Sequence, residues 1–121
     1  MKKILFVIAC LFIVSLTASA QRVQRSPEEN AKRMTELMTT ELNLTPEQVA
    51  PIDSINLVFA KAQAKLMEKA NGDFASVRED MQKLNALRVA EYAKILTDEQ
   101  LQSYQKMMEE RRKNRPPREG N

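Results

Sequence analysis

Two stretches 52 residues apart, Leu44-Thr45-Pro46-Glu47-Gln48-Val49 and Leu96-Thr97-Asp98-Glu99-Gln100-Leu101, repeat one helix-starting device and so fix where this chain turns. In each, Thr takes the N-cap position, and Gln three residues later can return a hydrogen bond to the backbone of the cap. Leu44 with Val49, and Leu96 with Leu101, flank the cap as a hydrophobic staple. A cap of this kind is worth about 1 kcal/mol per helix. Ser26-Pro27-Glu28-Glu29 offers a third start, with Pro at the first helical position and Glu three residues after the serine.

These starts predict an all-α fold of four helices. Only two glycines occur, Gly72 and Gly120, and no alternating β-branched run marks a strand. Helix 1 is expected to run from Ser26 to about Leu42, with Ala31, Met34, Leu37, Met38 and Leu42 on one side and Asn43 as its stop. Helix 2 is expected from Thr45 to about Ala70, with a kinked or ragged first turn at Pro51 and a left-handed stop at Asn71-Gly72. Its buried stripe reads Ile52, Ile55, Phe59, Ala62, Leu66 and Ala70.

Helix 3 is expected to start after Asp73 as N-cap and to reach about Ile95, with Phe74, Val77, Met81, Leu84 and Leu87 inward. Eight of the eleven residues from Ala86 to Leu96 are apolar, so this helix needs more than one neighbour. At 1.5 Å per residue helices 2 and 3 would span roughly 37 and 33 Å, which predicts a long central antiparallel hairpin. Helix 4 then starts at Thr97 and carries Leu101, Tyr104, Met107 and Met108 before the arginines.

Residues 1–20 read as a secretory signal peptide: Lys2 and Lys3, an apolar run from Ile4 to Leu16, and Ala18-Ser19-Ala20 before a cleavage at Ala20 and Gln21. Segment 21–27 is then an N-terminal extension, 28–113 the helical domain and 114–121 a disordered basic tail. Removing the signal takes away the chain's only cysteine, Cys10, and leaves no His or Trp. A chain without these residues offers no zinc site of the usual ligand types, no His-activated nucleophile and no disulfide framework. No cofactor or metal is expected. The acidic neighbours Glu79-Asp80 and Asp98-Glu99 read as helix surface, because Glu28 to Lys32, Glu29 to Arg33 and Glu79 to Lys83 have the spacing of surface ion pairs. A catalytic site is not expected.

Two LTxxQ motifs in a small secreted helical chain without cysteine resemble the Spy/CpxP family of periplasmic proteins. The resemblance covers roughly residues 28–115 and rests on Leu44, Thr45, Gln48, Leu96, Thr97 and Gln100. It implies a homodimer of cradle type that binds unfolded proteins without ATP, in the periplasm, under envelope stress. Other members of that family act as regulatory partners of an envelope sensor or handle metal, the latter disfavoured here by the absence of His. The interval between the motifs is shorter than in the chaperone members, which implies a smaller cradle. A dimer is also expected from the thin aliphatic core.

The methionines admit three readings: core filling, an adaptable apolar client surface, or soft ligands for Cu(I). On the second reading Met34, Met38, Tyr104, Met107 and Met108 are the client-binding candidates. Charge divides unevenly, with a net of −5 over residues 28–110 and +4 over 111–121. The basic end suits solubility or weak contact with an anionic membrane surface, and nucleic acid is not expected as a partner after secretion.

Overall fold

The computed structural model describes residues 25–116, and these form four α-helices with no strand among them. They are α1 (Pro27–Leu42), α2 (Pro46–Ala70), α3 (Arg78–Ala93) and α4 (Asp98–Lys113), with a 3₁₀ turn at Phe74–Val77 before α3. The signal peptide, its cleavage site and the last five residues of the basic tail lie outside the described residues.

Local chemistry sets most of the boundaries. At the start of α1 the Glu29 amide donates to Ser26 Oγ at 3.2 Å, and the Ser26 amide donates to Glu29 Oε2 at 3.2 Å. Asn43 and Asn71 end α1 and α2 in the left-handed region, at φ 52° and 46°. Asparagine tolerates that conformation better than most residues. Gly72 follows at φ 89°, where a side chain would be strained. Helix α2 runs unbroken through Pro51, which falls close enough to the N-terminus to sacrifice a single backbone donor.

The start of α3 departs from the sequence expectation. Asp73 makes no side-chain cap bond; instead its carbonyl accepts both the Ser76 amide at 3.3 Å and the Ser76 hydroxyl at 2.7 Å. This draws Phe74–Val77 into a tight 3₁₀ turn, and the α-helix begins four residues late, at Arg78. Val77 is buried as expected, whereas Phe74 and Leu87 are exposed, at 44% and 61%. With 16 residues α3 is shorter than the 25-residue α2. The 3₁₀ turn recovers part of the span, since it rises about 2.0 Å per residue.

The main core gathers where the two LTxxQ stretches meet: Met38, Leu42, Leu44, Ile52, Tyr92, Leu96 and Tyr104 are buried together. Val49 and Leu101 pack against this cluster, which includes their staple partners Leu44 and Leu96. The rings of Tyr92 and Tyr104 meet edge to face, with centroids 5.0 Å apart. Ion pairs lie on the surface, among them Lys83 with Glu79 at 2.8 Å, while Glu28 reaches across to Lys61 at 3.9 Å. Exposed pairs of this kind contribute little.

Burial pushes the Tyr92 and Tyr104 hydroxyls above the ordinary tyrosine value, with Arg88 opposing the shift at both. The folded state therefore holds these protons more tightly than the unfolded chain. Their stabilising contribution is complete below pH ~10 and is lost as the pH rises toward the raised folded values. The urea midpoint is expected to fall between pH 9 and pH 11, and Tyr104→Phe is expected to flatten that fall. An equal slope in the variant would show that Tyr104 does not contribute.

Candidate functional site

The two motif glutamines meet. Gln48 Nε2 donates to Gln100 Oε1 at 2.7 Å, and Gln100 Nε2 donates to Gln48 Oε1 at 3.0 Å, so the side-chain amides form a reciprocal pair. Each Oε1 also accepts its own cap amide, Thr45 or Thr97, at 3.0 Å. Each remaining amide hydrogen crosses to the opposite chain segment: Gln48 Nε2 to the Ile95 carbonyl at 3.1 Å, and Gln100 Nε2 to the Leu42 carbonyl at 3.3 Å. Both amides thus fill their two donor and two acceptor positions. The Gln100 amide donates to Thr97 Oγ1 at 3.2 Å, whereas the Gln48 amide bonds the Thr45 carbonyl at 3.0 Å. A device that sequence reasoning assigns to helix capping therefore also joins the α1/α2 corner to the α3/α4 corner.

A second polar chain crosses the core. Asn56, 4% exposed on α2, donates from Nδ2 to Thr35 Oγ1 at 3.0 Å and accepts the Tyr92 hydroxyl at Oδ1. Thr35 Oγ1 lies 3.0 Å from the Ala31 carbonyl and 2.9 Å from Asp53 Oδ1. Asn56 Nδ2 also stands 3.8 Å from Met38 Sδ. This chain ties α1, α2 and α3 together, and the Tyr92–Tyr104 ring contact extends it to α4.

Beside these networks an open trough of about 1520 Å³ runs over the molecule. Its apolar wall includes Met34 and Leu37 from α1, Ala60, Ala64 and Met67 from α2, then Phe74 and Met108. Its charged groups are Arg25, Arg33, Arg88, Arg111 and Arg115 against Glu36, Glu41 and Glu68. Flexible thioethers beside guanidinium and carboxylate groups make an adaptable surface of mixed apolar and charged character.

The structure separates the five client-binding candidates. Met34 and Met108 line the trough, half-buried, while also packing against the core cluster. Met38 and Tyr104 are core residues, at 0% and 2% exposure, and present no surface to a partner; Met107 packs against the same cluster. The motif residues Leu44 and Leu96 are buried, Thr97 caps α4 through its hydroxyl, Thr45 holds the N-cap position of α2 without a side-chain cap bond, and Gln48 and Gln100 form the amide pair. Leu37, Met67, Phe74, Asn56 and Arg88 were not singled out from sequence as site residues. A signal existed for two of them: Asn56 lies four residues from Ile52 and Arg88 four from Leu84, each a polar residue on an apolar stripe.

Comparison with known families gives one match, a domain of unknown function, DUF4890, over residues 17–104. The chain belongs to the DUF4890 family. The DUF4890 match takes in both corners, the amide pair and the whole of the Asn56 chain, and stops at Tyr104, short of Met108 and the C-terminal arginines. No curated protein and no solved structure matches the chain. Among the described residues no helix is long and apolar enough to cross a membrane.

Proposed function

We propose that this DUF4890 protein is an exported, ATP-independent binding protein of the Spy/CpxP type, which shields apolar segments of unfolded proteins in the periplasm. The trough is the observation that supports this reading: a wide, open surface with Met34, Leu37, Met67, Phe74 and Met108 on it and arginines beside it. A chaperone surface has to accept many sequences, and methionine adapts its shape at little cost. The arginines speed encounter with polar or acidic flanks of a client without fixing one bound pose. On this reading α2 and α3 form a long antiparallel hairpin, and two copies combine into a cradle. Val58 and Leu87, at 63% and 61% exposure, are apolar side chains that a second copy would cover.

The purified chain from Gln21 onward, without nucleotide and at near-stoichiometric ratio, is expected to delay aggregation of a chemically denatured client followed by light scattering. Met67→Glu, which places charge on the exposed trough wall, is expected to remove most of that delay while leaving the helical circular dichroism unchanged. No delay at any salt concentration would sink the proposal. Recovery of one folded envelope protein by cross-linking, in place of many unfolded ones, would assign the trough to a regulatory partner instead.

A further inference from the structure

A second, smaller cleft lies between α2 and α3, with a volume of about 190 Å³. Phe59, Met81 and Leu84 give it apolar walls, and Gln63, Asn85 and Arg88 supply its polar groups. Arg88 is held in place here: its Nη2 donates to Asn85 Oδ1, and its guanidinium stands beside the Tyr104 hydroxyl. Its Nε is buried and makes no hydrogen bond, the one such side-chain atom among the described residues. Arg88 borders the cleft, and a carboxylate oxygen is the acceptor that suits a guanidinium best.

We infer that this cleft is a binding site for a small apolar monocarboxylate, its ring or branched tail against Phe59, Met81 and Leu84 and its carboxylate on Arg88. The inference does not depend on the chaperone reading: Gln63 and Arg88 border both the trough and the cleft, but Phe59, Met81, Leu84 and Asn85 line the cleft alone, so Leu84→Trp tests it without touching the trough.

Phenylacetate is the probe, titrated into the mature chain carrying 13C-methyl methionine. A saturable 1:1 shift of the Met81 methyl resonance is expected. Phenylacetamide, of the same shape without the charge, is expected to bind at least about tenfold more weakly. Acetate, which lacks the tail, is expected to give no saturable shift over the same range. Arg88→Gln is expected to abolish the preference for the acid over the amide. Leu84→Trp, which fills the cleft and leaves Arg88 in place, is expected to block phenylacetate with the circular dichroism unchanged. Equal affinity for acid and amide would overturn the site, as would a wild-type shift that never saturates or full binding by folded Leu84→Trp. If Arg88→Gln fails to fold, the amide comparison and Leu84→Trp decide the question by themselves.

Discussion

Gln100→Ala is expected to destabilise the protein by about 2–3 kcal/mol, because it removes two bonds to Gln48, the bond from the Thr97 amide and the bond to the Leu42 carbonyl together. For a domain of this size that corresponds to a melting point lower by roughly 10–20 °C. Gln48→Ala is expected to cost a similar amount, and the double variant distinctly less than the sum, since both single changes break the same amide pair. The more telling substitution is Gln100→Glu. A glutamate three residues after the cap accepts the Thr97 amide as well as glutamine does, but it has no hydrogen to give to Gln48 Oε1 or to the Leu42 carbonyl. If capping were the whole role, Gln100→Glu would be neutral. A loss above about 1 kcal/mol in urea denaturation, with the helix start intact by circular dichroism, would assign the stability to the joint between the corners.

Asn56→Leu is expected to cost about 2–4 kcal/mol, although it replaces a polar core residue with an apolar one of similar volume. It leaves the Tyr92 hydroxyl without an acceptor and removes a donor from Thr35. A buried polar group that loses its partner carries the full cost of having left water. Tyr92→Phe by itself strands Asn56 Oδ1 instead and is expected to cost about 1–2 kcal/mol. Combined, the two substitutions remove the donor and the acceptor together. The double variant is therefore expected to be more stable than the sum of the single losses by at least about 1 kcal/mol. Strict additivity in denaturant midpoints would mean that the Tyr92–Asn56 bond contributes nothing.

What could be read in the sequence was what is decided within four or five residues. Ser26 and Thr97 as caps, and Asn43 and Asn71 as left-handed stops, are all local arrangements, and each stands as expected, whereas at Thr45 the return bond from Gln48 formed and the hydroxyl makes no cap bond. The start of α3 was local too, but two local signals competed there. There Asp73 does precede the first turn, but that turn is 3₁₀, closed by the Ser76 amide and hydroxyl on the Asp73 carbonyl, and the Asp73 side chain makes no cap bond.

The features that required the third dimension were the long-range polar ones. Gln48 and Gln100 each had a sufficient local explanation, so nothing in either motif called for the other. Asn56 dropped out of the buried stripe of α2 because a periodicity argument registers apolar side chains, and a buried amide betrays itself only when its partners on other helices are known. The methionine candidates divided for the same reason: Met34 and Met38 share one helix face, yet one lines the trough and the other is sealed behind it. The Arg88 cleft joins residues from two helices, so no single stretch of sequence displays it.

The joint between the two corners has one further property. It is built from two primary amides, backbone groups and the Thr97 hydroxyl, none of which gains or loses a proton across the acidity range in which proteins function. Nor does it contain an ion pair for dissolved salt to weaken. Added salt would screen the arginines of the trough and leave the joint between the two corners unweakened, so the binding surface and the frame that holds it answer to different conditions.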